Sequence, residues 1–491
     1  MWLALLAPFY PLSSLSLFFI PEIKKLHRTA LVILSFYFFS QLIPAFFSPD
    51  PYLAIILTVL RSLLMFGLIG IGIRIGEVNS LKYLGFGLIV VYITALLNSW
   101  SNGLDLFSGR LNHPYMTSIT LGIAGALGIW LAVFQENKFL WRLCLFILAA
   151  TVLLLSGSRG PLLAAAIGLA FGIFAKYGTQ KLKVAAGVFF SLILMISVLL
   201  KKEAIFSLSR LQSLDSTGRD VIWNTTLDVI RSHPIGGVGT YLLGKYLAIQ
   251  GEGCQFFVDV RGAASHCPVW LENLGSPWLI AHSLVLQQLA ETGPLGLLGL
   301  LILIGLILQI TLLRRKPLEI AIVTGLLMTT VVDNTLIVPS PFFAEVFWIV
   351  AGIQLINIPS SIKFNSIYLP ILILILSFPA LSNLVQSKNN TAITLGFAHL
   401  PKVVEQDKNY RGQVILKFPP GVYRLILKDC VSYCKIIQPI QLHSAESGMV
   451  LLEGKISVMG KHNLRLEIYP EKSSLGVHPL SVLDWWVYVS K

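Results

Sequence analysis

Two arginines, Arg159 and Arg219, stand in settings that suit binding of an anion. Arg159 lies in SGSRGP, where a turn leads into the N-terminal end of a predicted helix, and such ends attract anions. Arg219 follows helix-capping residues in DSTGRDVIW, and the stretch 219–231 has the pattern of an interfacial amphipathic helix. A guanidinium holds phosphate through a bidentate fork, although an ordinary contact with a lipid headgroup would explain either arginine.

His282 precedes a long apolar segment that reads as a helix. The positive end of such a helix disfavours imidazolium and so keeps the ring neutral. A neutral imidazole can take a proton from a hydroxyl, as a general base must. A histidine satisfied by structural hydrogen bonds is the alternative, and His113 and His266 have weaker claims to the same role.

Other polar residues gather at the same depth, the external ends of the predicted membrane spans. Charged groups at membrane depth are costly, and they usually face a cavity or a partner. A pore or transporter should carry them nearer the midplane, in broken helices of repeated halves, so an outward-facing active site explains them better. The candidates for substrate binding are Arg110, Asn112, His113, Glu291 and Arg61, while Asp333 and Glu345 flank a nearby external turn.

The elements that must position these residues are membrane helices. Hydrophobic residues make up 55% of the 491-residue chain and charged residues 12%, which excludes a soluble enzyme, a disordered protein and a coiled coil. A span needs about 20 predominantly apolar residues. Twelve spans are predicted, at 2–20, 29–47, 53–73, 83–99, 115–134, 139–156, 160–175, 184–200, 284–313, 320–338, 342–357 and 365–384.

The loop charges set the orientation. One set of loops carries 14 of the 24 Lys and Arg residues of the region 1–387, and the opposite short loops carry only Arg110 and Arg159. The basic side is cytoplasmic by the positive-inside rule. We therefore expect the segment 201–283 to be a large external loop that takes part in catalysis. The N-terminus is then outside as well, unless the true start lies upstream and a span is missing. Most of the net charge of +13 reflects this topology rather than nucleic-acid binding.

Cysteines and the tail agree with an external assignment. Cys254 and Cys267 share the long loop, where a pair of cysteines can be oxidised to a disulfide, although free thiols are an alternative. A zinc cluster of these two with His266 and His282 is a weaker possibility, and we expect no bound metal. Residues 388–491 read as short strands separated by Pro and Gly turns, which predicts a small all-β, sandwich-like domain.

Taken in order, four segments resemble the O-antigen ligase and polymerase superfamily of bacterial membrane glycosyltransferases. They are GRLNHP (109–114), LLLSGSRGPLLAAAIG (153–168), TGRDVIWNTTLDVIRSHPIGGVGTY (217–241) and AHSLVLQQLAETGPLGLLGLL (281–301). Ser283 and Tyr115 depart from the family pattern, which more often has Asn at both positions.

The resemblance implies a fold, a reaction and its residues. The fold would be a polytopic all-α, GT-C-like body over 1–387, followed by the β-rich domain over 388–491. The protein would take a glycan from an undecaprenyl-pyrophosphate carrier and join it to lipid A core, a second glycan or a protein. The reaction would invert the anomeric centre and need neither metal nor cofactor. The functional arginines of the family fall on Arg159 and Arg219, and the functional histidine falls on His282.

The protein is thus predicted to be a multi-pass protein of the bacterial cytoplasmic membrane with an extracytoplasmic active site and tail. Two alternatives to an O-antigen ligase remain open. One is a polymerase of the same superfamily, and the other is a non-enzymatic flippase or exporter of lipid-linked sugars.

Overall fold

A computed structural model describes one 3-10 helix, eleven α-helices and eight strands of the chain. The described residues are 10–77, 81–101, 111, 113, 116–135, 138–178, 219–247, 280–331, 333–338, 343–358, 394–399, 403–417, 421–430, 434–444, 447–457, 460–470 and 481–490. Contacts within this chain divide it into two compact units, one formed by Met1–Asp215, Thr226–Leu247 and Pro277–Pro379 and the other by Ser216–Thr225, Ala248–Ser276 and Ala380–Lys491.

The helices follow a 3-10 helix, Tyr10–Lys25. They are α1 Arg28–Ala45, α2 Pro51–Ile75, α3 Lys82–Ser101, α4 Ser118–Phe134, α5 Phe139–Leu155, α6 Arg159–Gly178, α7 Arg219–Ser232, α8 Gly244–Leu247, α9 Leu284–Arg314, α10 Pro317–Thr329 and α11 Ala344–Ile356. Five of them (α1, α2, α3, α6 and α9) are long and apolar enough to cross a membrane, and α4, α5, α10 and α11 are shorter apolar helices.

Local sequence explains where several helices begin and end. Asp50 caps α2 by accepting a hydrogen bond from the Leu53 N–H, with Pro51 at the first helical position, where its missing N–H does no harm. Thr117 caps α4 in the same way through the Thr120 N–H. Gly76 ends α2 in the left-handed conformation, as glycine commonly does after a helix.

The predicted spans lie where helices are found, but some of them differ from the helices in length or in helix type. The predicted first span, 2–20, is described only from residue 10, where a 3-10 helix runs to Lys25 and contains Pro21, which lacks an amide hydrogen. The predicted span 320–338 is helical only to Thr329, and the described residues after it form turns. The predicted spans 184–200 and 365–384 lie outside the described residues, so the count of twelve stays a prediction.

The C-terminal region folds into two sheets. The strands are β1 Thr394–His399, β2 Val403–Glu405, β3 Asn409–Lys417, β4 Gly421–Cys430, β5 Cys434–Ser444, β6 Ser447–Lys455, β7 Gly460–Pro470 and β8 Ser481–Ser490. One sheet has the order β1-β3-β6 and the other β2-β8-β7-β4-β5. Neighbouring strands are antiparallel except β2 and β8, which are parallel. Leu464 and Leu466 of β7 are buried on either side of the less buried Arg465, as alternation along a strand predicts. In β4, Ile426 is buried together with Leu425 and Leu427, so the alternation does not hold there.

Candidate active site

His282 and Asp333 form a hydrogen-bonded pair at the start of α9. The His282 Nδ1 lies 2.6 Å from the Asp333 Oδ1. Asp333 is buried, whereas 26% of the His282 side chain stays exposed. A carboxylate can only accept at Nδ1, so in a neutral ring this nitrogen carries the proton and the Nε2 keeps its lone pair. In that form the pair presents an oriented proton acceptor on a partly exposed side chain.

Backbone bonds hold both members of this pair. The Leu284 N–H donates to the Thr330 carbonyl at 3.3 Å, which joins the first residue of α9 to the turn after α10. The Asp333 N–H donates to the Thr329 carbonyl at 2.9 Å. Thr329 and Thr335 hydrogen bond to each other at 2.8 Å and close the turn that carries Asp333.

Glu291 and Arg61, two predicted substrate-binding residues, are paired with each other. The Arg61 guanidinium donates to the Glu291 Oε2 at 2.6 Å, and both side chains are buried. Arg61 also donates to the Gln41 Oε1 at 3.2 Å and lies over the Tyr241 ring, with its Cζ 5.4 Å from the centroid. A buried ion pair needs such additional partners to offset the loss of hydration. The pair joins α2 to α9, and a role in substrate binding stays a prediction.

Helix α9 is broken at Gly293, about two and a half turns after its first residue, Leu284. Gly293 has φ 62° and ψ −170°, a conformation essentially confined to glycine, and Pro294 follows it. The segment after α7 fills the break, because the Val238 N–H donates to the Ala290 carbonyl at 2.8 Å and the Gly239 N–H to the Glu291 carbonyl at 2.9 Å. The carbonyls freed by the break are thereby satisfied, as the apolar setting requires.

Arg159 is the first residue of α6, next to the turn that follows α5. The Ser158 hydroxyl in this turn donates to the Ser118 carbonyl at 3.1 Å, and the Leu111 N–H donates to the Leu155 carbonyl at 2.9 Å. The structure thus joins Leu111 to the last residue of α5, just before the turn that leads to Arg159. The Trp130 ring fixes α6 further along, because its Nε1 donates to the Ala165 carbonyl at 3.2 Å.

The remaining predicted site residues are described to different extents. His113 is buried, and burial lowers the pKa of its imidazole from the ordinary value of 6.5, which favours the neutral ring. Arg219 begins α7, so the helix predicted over 219–231 is confirmed. Arg110, Asn112, Cys254 and Cys267 lie outside the described residues.

Sequence reasoning missed the residues that complete these groups. Asp333 was noted only for its depth, and the same depth was the signal that could have paired it with His282. The amide side chains of Gln41, Gln287 and Gln288 connect the buried groups; Gln287 lies in the segment 281–301 that carries the family resemblance, but its contacts were not predicted. The Gly293–Pro294 dipeptide is a known helix breaker, so the break in α9 was open to prediction.

The fold and the site together define a class: a multi-pass helical membrane protein with an oriented histidine–carboxylate pair. Residues 144–301 match the family model described as O-antigen ligase, and this stretch contains Arg159, Arg219 and His282. This match over about a third of the chain confirms the resemblance to the O-antigen ligase and polymerase superfamily. At this level the family indicates a glycosyltransferase of the O-antigen ligase or polymerase type.

None of the curated proteins matches the chain in sequence. Among solved structures, an alkylpurine DNA glycosylase of Pseudomonas fluorescens bound to DNA containing an abasic site analogue aligns at 11% identity, over 85% of this chain and 99% of that chain. The TM-score is 0.15, which is too low to indicate a shared fold.

Proposed function

We propose that this protein transfers a glycan from undecaprenyl pyrophosphate to an acceptor hydroxyl at the outer face of the bacterial cytoplasmic membrane. The observation that carries the proposal is the pair of His282 and Asp333, because His282 lies within the O-antigen ligase match and its free Nε2 suits a general base. The fraction of His282 that remains exposed leaves room for an acceptor hydroxyl to reach it.

The reaction is a single inverting displacement. The acceptor hydroxyl gives its proton to the His282 Nε2 while its oxygen forms a bond to the anomeric carbon of the glycan. The bond between that carbon and the pyrophosphate oxygen breaks on the opposite face, and undecaprenyl pyrophosphate leaves with the electron pair. The Asp333 carboxylate stabilises the imidazolium that forms and keeps the ring in place, as the carboxylate does in other base–carboxylate pairs.

Arg159 and Arg219 bind the pyrophosphate in this proposal. The leaving group gains negative charge in the transition state, and fixed positive groups there supply the largest catalytic term in many enzymes. Each arginine is the first described residue of a helix, where the helix dipole adds to the positive potential. The two guanidinium groups thereby do the work that a divalent cation performs in many other glycosyltransferases.

The test uses purified full-length protein in lipid nanodiscs with a lipid-linked glycan and an acceptor. His282→Ala, Arg159→Gln and Arg219→Gln should each slow transfer by about 10²-fold or more, the range expected for a general base or an electrostatic donor. Arg231→Gln is the control, because Arg231 is 72% exposed on α7 and pairs only with Asp228 among the contacts of this helix that are described. Normal transfer by all three site variants would overturn the proposal.

The product formed in the same assay distinguishes a ligase from a polymerase. A ligase attaches complete chains to lipid A core, whereas a polymerase lengthens the lipid-linked glycan by one repeat unit per transfer. We expect ligation, and exclusive lengthening of the lipid-linked chain would identify the protein as a polymerase. A separate assay uses proteoliposomes of the same lipid composition as the nanodiscs. Movement of the lipid-linked sugar across their bilayer, without transfer to an acceptor, would instead indicate a flippase.

A further inference from the structure

The side chain of Gln287 joins two groups that matter to the site. Its Nε2 donates to the Glu291 Oε1 at 2.6 Å, one helical turn further along α9. Its Oε1 accepts from the Ala281 N–H at 2.7 Å. Ala281 directly precedes His282, and Gln287 is 3% exposed. Both ends of one buried amide are thus used, one on a carboxylate and one on the backbone beside the histidine.

The backbone at His282 needs this kind of support. His282 has φ +48°, in the left-handed region that a residue other than glycine adopts only at a cost. Such a conformation persists where surrounding contacts hold it, and it fixes the direction in which the imidazole leaves the chain. The Ala281 N–H bond holds the chain before His282, and the Leu284 N–H bond to Thr330 holds it after His282.

The other end of the amide is anchored in the interior. Glu291 accepts from Gln287 with one carboxylate oxygen and from Arg61 of α2 with the other, both at 2.6 Å. Arg61 is buried and is held in turn by Gln41 of α1. The connected groups therefore run from α2 through Glu291 and Gln287 to the backbone that carries His282.

We propose that Gln287 is a positioning residue that transfers the fixed position of the Arg61–Glu291 pair to the backbone at His282. The claim that this position affects catalysis rests on the proposed function. The claim that Gln287 holds the backbone beside His282 does not. A shift of the imidazole relative to the acceptor hydroxyl slows proton transfer without weakening the binding of the lipid-linked donor.

The chain contains a matched control for this arrangement. Gln354 of α11 donates to the Glu319 Oε2 at 2.6 Å, and Arg314 lies 3.6 Å from the same carboxylate oxygen. Glu319 and Gln354 are buried, as Glu291 and Gln287 are. Arg314 is the last residue of α9, at the end opposite to His282, so the loss of Gln354 removes an equivalent buried amide far from the site.

The first measurement is amide hydrogen exchange of the peptide over 280–286 in full-length protein, read by mass spectrometry. Gln287→Met has a side chain of similar length with no donor and only a weak acceptor, and it should speed exchange in this peptide by about tenfold, the effect of losing one buried hydrogen bond. Gln354→Met should leave exchange there at the wild-type rate. Unchanged exchange in Gln287→Met, or an equal rise in both variants, overturns the inference.

The second measurement is transfer kinetics in the nanodisc assay. Gln287→Met should lower kcat by about tenfold and leave KM for the lipid-linked donor within about twofold, whereas a general loss of folding would lower the active fraction of both methionine variants. Faster exchange with normal kcat, or lower kcat with normal exchange, also overturns the positioning role. If wild-type protein transfers no glycan, the proposed function fails, and exchange alone still decides whether Gln287 holds the segment.

A second variant covers a failure of Gln287→Met to fold. Gln287→Asn keeps the amide but is one methylene too short to bridge the Glu291 carboxylate and the Ala281 N–H. The same rise in exchange over 280–286 and the same fall in kcat are expected from it, and wild-type values for both would overturn the proposal.

Discussion

The backbone carbonyl of Ile235 lies against Gly293, in the space that a side chain at position 293 would occupy. The two residues belong to segments that carry different parts of the site, since Ile235 follows α7 and Gly293 breaks α9. This close approach locks the loop after α7 onto the helix that begins beside His282.

Gly293→Ala should therefore destabilise the protein by about 2 kcal/mol or more, because the methyl group meets the Ile235 carbonyl and the φ of +62° is unfavourable for alanine. Gly85→Ala in α3 is the control. Its Cβ would be 3.5 Å from the Leu145 side chain, an ordinary contact, and alanine favours a helix over glycine by about 1 kcal/mol. Thermal unfolding in detergent should show a lower Tm for the first variant and an equal or higher Tm for the second, and equal Tm values would contradict this account.

Asp333→Asn should reduce transfer by about 10²-fold or more while leaving the fold intact, since the change is nearly isosteric. An asparagine can turn its NH2 group toward the Nδ1 of His282, and the ring proton then moves to the Nε2, which can no longer accept one. The measurement is the transfer rate at saturating donor. Asp228→Asn, at an exposed carboxylate on α7, should transfer at the wild-type rate. An active Asp333→Asn variant would show that the carboxylate does not set the tautomer.

Most helices of the membrane body could be located from the sequence, because the apolar segments begin and end at residues that cap or end helices. The predicted spans 29–47, 53–73 and 83–99 differ from α1, α2 and α3 by a few residues at each end. Hydropathy failed where an apolar run continues past the end of a helix. The apolar segment 320–338 includes the turn after Thr329, where the hydroxyls of Thr329 and Thr335 hydrogen bond to each other.

The sequence predicted candidate residues one by one, but not the contacts between them. Glu291 and Arg61 were chosen by residue type and depth, and His282 also by its place before an apolar helix and by the family resemblance. That Glu291 meets Arg61, 230 positions earlier in the chain, depends on how α2 packs against α9, and no local pattern encodes that. Gln287 belongs to the segment that resembles the family, but its contacts with Ala281 and Glu291 were not predicted, because a glutamine on an apolar helix shows its role only through its partners.

Removing one member of the Arg61–Glu291 pair should be more harmful than removing both. Arg61→Leu leaves the Glu291 charge buried, and Glu291→Leu leaves the Arg61 charge buried, so each should cost about 3–5 kcal/mol. The double variant leaves no unpaired charge and should lose less stability than either single variant. A double-mutant cycle of thermal unfolding measures the coupling.

The control for this cycle is Arg74→Leu. Arg74 lies 3.6 Å from the Glu22 carboxylate, but its side chain is 65% exposed, so its loss should cost about 1 kcal/mol or less. Strictly additive losses for Arg61→Leu and Glu291→Leu would contradict the interpretation that the two charges neutralise each other in the interior.

Stability of the β-rich region should fall on acidification because of Glu467 in β7. Burial acts to raise the pKa of this carboxyl, but the hydrogen bonds from Lys428 at 2.5 Å and from the Tyr469 hydroxyl at 2.6 Å outweigh it and lower the pKa below its ordinary value of 4.5. A group whose pKa is lower in the folded state stabilises that state above the unfolded pKa. This contribution disappears as the pH falls through the folded pKa.

Glu467→Gln should therefore make the β-rich region less stable at neutral pH and less sensitive to acid than the wild type. Release of this region by protease in graded urea, followed on full-length protein from neutral pH to about pH 3, measures both effects. The comparison is Glu405→Gln, since Glu405 forms an exposed pair with Lys408 in the same region, and such pairs contribute little. The prediction is contradicted if wild type and Glu467→Gln lose stability in parallel as the pH falls, because the acid sensitivity would then belong to other carboxylates.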